Sequence, residues 1–478
     1  MDGKLYKVVV GKKIINDFSY VLHVFSPINH QIIGSIPRVR TKEQIEIVFK
    51  NAKLAFHEYR NVDFHVRKKW LLNFCDLLKQ KWDELSNIIV WEIAKTKVEA
   101  IKEIDRSIEY IKLTIEEYEK IMKSPLIIDE SVHNVKGKTG IFTYEPLGVV
   151  LAISPFNYPL NLLVSKIAPA LISGNTVVYK PATQGSCVGS FISLLLYEAG
   201  FKNGEVSCII GKGSEIGDFI IDNPNISMIS FTGSSDVGKK IAMKNSLIPV
   251  ILELGGKDAA IVLKDANLKL SAKKIVKGAF SFNGQRCTGI KRVLVDVSVE
   301  QKLIKYIDEE IEKLTIGSAI KGNFDITEMI DIKTLKNNLY LLLDAYKNSA
   351  RTNQKIKRKG NILFPVALHN VTTKCKIAWD EQFGPVLPII SFNEIEQAID
   401  ICNKSQYGLQ TSIFTSNIKL AKKIASTLDV VTININESSS RGPDIFPFGG
   451  IKDSGKGMQG IKEAIISMNK IKGIIENE

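Results

Sequence analysis

The chain has 478 residues, 45% of them hydrophobic and 24% charged, which excludes a disordered or collagen-like polypeptide and, at roughly 150 residues per domain, fits about three domains. The formal net charge is +13, yet there is no run of five basic residues and no nucleic-acid-binding signature; the excess reads as a lysine-rich surface with a bias towards anionic ligands, not as a nucleic-acid footprint. The best candidate for a membrane span, 160–178, is broken by Lys166, Pro169 and Gly174 and falls short of the ~18 uninterrupted apolar residues a span needs.

The first residues lack the apolar core of a secretory leader and the last match no retention or lipidation pattern, so a cytoplasmic location is expected. In chain order, segments 42–60, 64–87 and 97–122 carry apolar residues at helical spacing without internal proline. Residues 140–154, GIFTYEPLGVVLAIS, read as one extended aliphatic stretch. From there NTVVYKP, EVSCIIG, ISMISFTG and PVILELGG, each ending in Gly or Pro, alternate with helix-like stretches, the rhythm of a parallel sheet with crossover helices. A second alternation after residue 255 runs through AAIVL, RVLVDV, VLPIISF, SIFT and VVTININ. The expected fold class is α/β, with two units in series and no long linker. Residues 122–138 and the tail after Phe448 fit neither unit and are expected to form a smaller element used in association.

Six cysteines without a C-x-x-C pair, and six histidines none of which neighbours a cysteine in sequence, give neither a disulfide framework nor a zinc spacing; free thiols and no metal are expected. The sharpest local signal is FNGQRCTG, 282–289, where glycines on both sides of Cys287 let the backbone approach a ligand. A lone cysteine is also commonly a small buried hydrophobe. An unassisted thiol of pKa ~8.5 is mostly protonated at neutral pH, so a nucleophile here needs a base, a cation or a helix amino terminus. Arg286 is adjacent. Glu253 stands in LELGG at the end of an expected strand, where an α/β fold places site residues; a turn acid satisfied by solvent is the alternative. In ISPFNYP, 153–159, two prolines hold Asn157, either as an amide donor to an oxyanion or as a turn residue. GKGSEIG, 211–217, opens a helix after a strand, but its spacing misses the dinucleotide fingerprint by one residue. Gly213 within it, and Ser234 in FTGSSDVGK, are candidates to face a pyrophosphate.

Together, FNGQRCTG, LELGGKDAA, ISPFNYPLNL, VVYKPATQGS, FTGSSDVGK and DEQFGPVLPI resemble the aldehyde dehydrogenase superfamily over nearly the whole chain. The resemblance implies a Rossmann-type cofactor domain (1–121 with 139–252), an α/β catalytic domain (253–447) and an oligomerisation element (122–138 with 448–478). It implies Cys287 as nucleophile, Glu253 as the base for the deacylating water, and Asn157 with the Cys287 backbone N–H as oxyanion hole. Glu381 and Phe383 would hold the nicotinamide riboside, and Lys180 the adenosine ribose. Many NAD-preferring relatives carry Glu three residues after that lysine. Here the residue is Thr183, which removes repulsion against a 2′-phosphate, so NADP is expected and NAD tolerated.

A narrower resemblance, carried by SSRGPDIFPFGGIKDSGKGMQGI, GQRCTGIKRVLV and the tyrosine of PFNYP, is to the non-phosphorylating glyceraldehyde-3-phosphate dehydrogenases. It implies that Arg106, Arg286, Arg441 and Tyr158 grip a substrate phosphate. Ten of the 64 basic residues are arginine, so three at these places are unlike the background, and a planar fork holds phosphate by two bonds as lysine does not. Structural ion pairs are the other reading. The expected reaction is NADP-dependent oxidation of D-glyceraldehyde 3-phosphate to 3-phosphoglycerate through a cysteine thiohemiacetal and thioester, without phosphate uptake, in a homodimer or homotetramer. Another short acidic aldehyde such as succinic semialdehyde, a cofactor-free cysteine thioesterase, and a catalytically silent scaffold are the alternatives.

Overall fold

The aliphatic runs between 149 and 253 are short, rich in β-branched residues and closed by Gly or Pro, and in the computed structural model they form five strands: Val149–Ile153, Thr176–Lys180, Val206–Cys208, Met228–Thr232 and Val250–Glu253. The structure describes residues 3–17, 19–131, 135–244 and 247–477. The strands pair in parallel in the spatial order 206–208, 176–180, 149–153, 228–232, 250–253, and Gly455–Lys456 closes the outer edge antiparallel. Alternate residues enter different cores. Val150, Ala152, Val177 and Met228 pack on one face, Val149, Leu151, Val178 and Ile229 on the other. Burial on both faces is why these strands read as unbroken apolar runs. Helices Asn161–Ile172, Ser186–Ala199, Gly213–Ile221 and Ser235–Lys244 make the crossovers. Strand order reverses between Val149–Ile153 and Met228–Thr232, and α/β sheets bind ligands outside the carboxyl ends of strands at such a reversal.

The second alternation forms a six-stranded parallel sheet, in the order Val366–Leu368, Val386–Phe392, Arg292–Asp296, Ala259–Val262, Gln410–Phe414, Thr432–Ile435. Helices Leu268–Phe280 and Glu300–Glu312 cover one face, and helices Ile332–Lys347 and Ile395–Asn403 the other. The α/β class read from the sequence is the class observed.

Several boundaries differ. The expected helix 64–87 is two helices, Phe64–Gln80 and Trp82–Ile93, turned at Lys81, so that Leu71, Phe74 and Leu78, then Leu85, Ile88 and Ile89, all reach one core. The stretch 140–154 is two strands in two sheets, separated at Gly148, whose φ of 143° suits glycine. Strand Lys138–Pro146 pairs antiparallel with Leu126–Ile128 on one side and Asn469–Asn477 on the other. It therefore belongs with the small third element and not with the unit assigned to 139–252. Conversely, most of 448–478 lies elsewhere: Gly455–Lys456 extends the first sheet, and Ile461, Ile465 and Met468 sit in its core. Residues 132–134 of the expected 122–138 segment lie outside the described residues. Among the described residues no helix is long and apolar enough to cross a membrane.

Candidate active site

The carboxyl end of the first sheet faces the amino end of the second, and the candidate residues collect between them. Glu253 is the last residue of its strand and is 1% exposed. Its Oε1 accepts from the Cys287 thiol, 3.6 Å from Sγ. Its Oε2 accepts from Arg441 Nη1 at 2.8 Å and from Thr232 Oγ1 at 3.1 Å, and Thr232 in turn accepts from Lys166 Nζ at 2.6 Å. Burial pushes the Glu253 carboxyl up, but the charges of Arg441 and Lys166 and the hydroxyl and thiol donors outweigh it and hold the group below the ordinary carboxylate range. Desolvation pushes the buried Lys166 down to about 8. The Cys287 thiol is pushed up by burial and then by the Glu253 charge, against the pull of Arg441, and is a protonated donor in this arrangement.

The loop bearing Cys287 is fixed from behind. Phe282, Asn283 and Gly284 have positive φ of 49°, 58° and 70°, a conformation that costs a non-glycine residue roughly 1–3 kcal/mol. Neighbouring bonds over-determine it. Asn283 Oδ1 accepts from Thr327 N at 2.8 Å, and its Nδ2 donates to Glu328 O at 2.9 Å. Lys291 Nζ donates to Gly284 O at 2.8 Å, and Gln285 Oε1 accepts from Ile330 N at 2.9 Å. Gly256 lies against the loop, and a Cβ there would meet the Cys287 carbonyl at 2.8 Å, so glycine is what lets the turn after Glu253 come close. Asn157, 4% exposed, uses one amide N–H on Gln285 O at 2.8 Å, which leaves the second.

Glu381 Oε1 accepts from Gly256 N at 3.2 Å and lies 3.7 Å from Lys291 Nζ; burial pushes its carboxyl up, against Lys291. Phe383, at φ 43°, meets Phe156 edge-on with centroids 6.0 Å apart. Lys180 ends its strand, is 6% exposed and donates to Pro181 O at 3.1 Å. Desolvation pushes it down to about 8. Thr183 is half-buried in the next turn, and Gly213 and Ser234 are exposed at the amino ends of helices Gly213–Ile221 and Ser235–Lys244. These four residues line the carboxyl edge of the first sheet.

The four arginine and tyrosine candidates divide. Arg106, on the helix Lys97–Met122, makes a bidentate pair with Asp444 (Nε–Oδ2 2.8 Å, Nη2–Oδ1 2.7 Å) and donates to Arg441 O at 3.0 Å. Arg441 holds Glu253 and also donates through Nη2 to Gln459 Oε1 at 2.8 Å. Both arginines line a cavity of about 540 Å³ with Lys102, Glu109 and Asp444, and the Tyr158 phenol is near enough to add to the field at Arg106. Arg286 does not line that cavity. It stays on the Cys287 loop, bonded to Ser281 Oγ, with no carboxylate within ion-pair distance among the described residues. Sequence reasoning misses Lys166, Thr232, Asp444 and Gln459 as neighbours of these groups. Lys166, the single charge in the apolar stretch 160–178, carries the one signal that marks it.

The Aldehyde dehydrogenase family profile matches residues 16–474. An NADP-dependent glyceraldehyde-3-phosphate dehydrogenase from Streptococcus equinus is 43% identical over 454 residues, 95% of each chain. A lactaldehyde dehydrogenase from Methanococcus maripaludis is 34% identical over 470 residues, covering 97% of this chain and 98% of its own. The crystal structure of NADP-dependent glyceraldehyde-3-phosphate dehydrogenase from Bacillus halodurans C-125, complexed with NADP, is 42% identical and aligns with a TM-score of 0.96 over 100% of this chain and 99% of its own. With a profile match over nearly its full length, and that fold, the chain belongs to the aldehyde dehydrogenase family.

Proposed function

We propose that the chain oxidises D-glyceraldehyde 3-phosphate to 3-phosphoglycerate with NADP and without inorganic phosphate. The observation that carries the substrate assignment is the placement of Arg106 and Arg441 on one cavity, with Arg441 reaching from it to Glu253 and with Tyr158 outside its lining but near enough to act on Arg106. Identities of 43% and 42% to the Streptococcus and Bacillus dehydrogenases support it. Arg286 adds a cation on the Cys287 loop that has no carboxylate partner among the described residues.

The residues fit NADP. Lys180 is a buried cation at a strand end with no carboxylate within ion-pair distance among the described residues, and Thr183 brings it no negative charge. Helix amino termini at Gly213 and Ser235 offer backbone N–H groups to a pyrophosphate. We assign Lys180 and Thr183 to the adenosine ribose and its 2′-phosphate, Gly213 and Ser234 to the pyrophosphate, and Glu381 and Phe383 to the nicotinamide riboside. NADP, when bound, supplies the hydride acceptor.

In the proposed mechanism Glu253 takes the thiol proton across the 3.6 Å contact, and the thiolate attacks the aldehyde carbon to give a thiohemiacetal. The free Asn157 N–H and the Cys287 backbone N–H receive the developing oxyanion. Oxidation leaves a thioester on Sγ. Glu253 passes the thiol proton on to solvent water and, ionised again, takes a proton from the water that attacks this thioester, which releases the carboxylate product and returns the sulfur as the thiol. Arg441 keeps the base ionised for both transfers.

The first sheet is assigned to the cofactor and the second to catalysis. The three-stranded sheet of 126–128, 138–146 and 469–477 exposes Leu126, Ile127, Ile471, Ile474 and Ile475 and is assigned to association into a homo-oligomer. Free cysteines at all six positions fit a reducing compartment, the cytoplasm. A panel of phosphorylated and unphosphorylated aldehydes with NADP or NAD, followed by reduced-cofactor absorbance in phosphate-free buffer, tests the reading. Glyceraldehyde 3-phosphate with NADP is expected to give the highest kcat/KM. A preference of ~10-fold or more, the equivalent of about 1.4 kcal/mol, for another aldehyde would replace the substrate assignment.

A further inference from the structure

A buried ion pair that the mechanism above does not use lies behind the reacting atoms. Lys95, 2% exposed, follows Ala94, which ends helix Trp82–Ile93 at φ 55° and whose carbonyl accepts from Thr327 Oγ1 at 2.8 Å. Lys95 Nζ lies 2.6 Å from Glu103 Oε2 and donates to Asn157 O at 2.9 Å. The same ammonium stands 3.7 Å from the Tyr158 ring centroid and 4.8 Å from that of Phe282. Glu103, 3% exposed, uses its other oxygen to accept from Leu160 N at 3.0 Å and Asn161 N at 3.1 Å, where helix Asn161–Ile172 begins. One cation thus touches the backbone of the oxyanion-hole residue, the ring of the phosphate-side tyrosine and the first residue of the Cys287 loop, and its counter-ion pins the chain just beyond them. A buried ion pair is commonly no more stabilising than apolar side chains of the same volume, so stability alone does not account for its place.

We infer that Lys95, held by Glu103, is a positioning residue that fixes Asn157 and Tyr158 as one unit and so couples the oxyanion hole to the phosphate grip. This rests on the reaction proposed above. The ammonium sets the peptide between residues 157 and 158 by holding its carbonyl, and it sets the plane of the tyrosine ring by facing it, since a cation close to a ring centroid is attracted to the ring's face. Both side chains leave that peptide in consecutive positions, so a rotation of the peptide displaces both.

The test uses the full-length enzyme and the paired substitution Lys95→Met with Glu103→Gln. It removes both charges, leaves an unbranched apolar stem one atom shorter than lysine at 95, and leaves a glutamine oxygen for Leu160 N and Asn161 N. The thermal midpoint should stay near that of the wild type. kcat should fall roughly ten-fold or more for glyceraldehyde 3-phosphate and for unphosphorylated glyceraldehyde alike, as for a displaced oxyanion donor. KM should rise, roughly ten-fold, for the phosphorylated aldehyde alone. In an Asn157→Ala background the paired substitution should lower kcat no further, because the donor it positions is gone, yet it should still raise that KM.

Kinetics within about two-fold of wild type, or a kcat loss of the same size with and without Asn157, would overturn the inference, since general loosening acts equally in both backgrounds. Should the paired variant fail to fold, Lys95→Arg keeps the pair with Glu103 and changes the donor geometry at Asn157 O. The same split is expected of it, and wild-type kinetics in it would also overturn the inference. A wild-type enzyme inactive on glyceraldehyde 3-phosphate refutes the substrate reading alone. The kcat comparison on whichever aldehyde it does oxidise still decides the role of Lys95.

Discussion

Replacing Arg441 with methionine takes the cation away from Glu253 while keeping an unbranched apolar stem near Phe448, whose ring centroid lies 5.0 Å from the guanidinium carbon. The pair is buried, with side chains 9% and 1% exposed and N–O 2.8 Å. For charge centres ~4 Å apart and an effective dielectric of ~20, the attraction is about 4 kcal/mol, the equivalent of about three pKa units at 1.36 kcal/mol each. Lys166 remains, acting through Thr232, and water enters the vacated space, so the expected rise of Glu253 is smaller, at least about one unit. The proton-accepting form is lost below its pKa, and the acid limb of kcat should therefore move to higher pH by that amount. Unphosphorylated glyceraldehyde is the substrate of choice, because it offers Arg441 no phosphate and isolates the effect on the base. Steady-state NADPH formation from pH ~3 to ~8, in short assays that outrun acid inactivation, gives the limb, and a rapid-mixing burst separates acylation from hydrolysis. An acid limb that stays within about 0.3 unit of wild type would refute the idea that Arg441 sets the ionisation of Glu253. The same pair has a consequence for stability. Glu253 titrates lower folded than unfolded, so its contribution is full above the unfolded value of ~4.3 and fades as pH falls through the folded pKa. Arg441→Met should flatten the acid side of the stability profile.

Cys287→Ala should abolish NADPH formation while NADP binding, read by fluorescence titration, is retained; turnover above roughly a hundredth of wild type would remove Cys287 as nucleophile. Glu253→Gln should cut steady turnover roughly a hundred-fold or more, because neither thiol nor water then has its base. Raising the pH should restore a single-turnover burst as the thiol ionises unaided, and unchanged steady turnover at neutral pH would mean that another base serves. Thr183→Glu places a carboxylate in the turn after Lys180 and should shift the ratio of kcat/KM values from NADP towards NAD by at least ~10-fold. An unchanged ratio would show that this turn does not meet the 2′-position.

Sequence alone delivered the alternation of strands and helices because parallel strands covered on both faces are continuous apolar runs, and glycine and proline mark their ends. Cys287, Glu253 and Asn157 were legible because each stands in a motif whose glycines or prolines have a backbone reason to be there, such as Gly256 against the Cys287 carbonyl. The division of 140–154 was not. Two strands of similar composition on either side of Gly148 carry no local sign that they enter different sheets, since the partner of the first, 469–477, is more than 300 residues away. The pairs Arg106–Asp444 and Arg441–Glu253 were hidden for the same reason, spanning 338 and 188 positions. Arginine scarcity pointed to Arg106, Arg286 and Arg441 as special, but not to the carboxylates that two of them hold. Lys95 and Glu103 are eight positions apart, too far for one helical turn, and they meet only because Ala94 turns the chain between two helices.

The facing of one sheet's carboxyl ends towards the other's amino ends makes the cleft electrically lopsided. Helices that follow strands of the first sheet start at the cleft and present backbone N–H groups to it, as at Gly213 and Ser235, whereas helix Leu268–Phe280 of the second unit runs out beside Cys287 and presents carbonyls. On the substrate side, the helix start at Asn161 is already filled by Glu103. An anion at the helix starts Gly213 and Ser235 is met by the main chain, while an anion beside Lys180 or near Cys287 has to be met by side chains. Main-chain donors survive every substitution except proline, whereas any substitution of an arginine removes its guanidinium. Main-chain recognition at the cofactor edge is therefore the hard-wired part of this enzyme, and whatever side chains recognise, the 2′-position beside Lys180 and Thr183 as well as the aldehyde, is the part that mutation can rewrite.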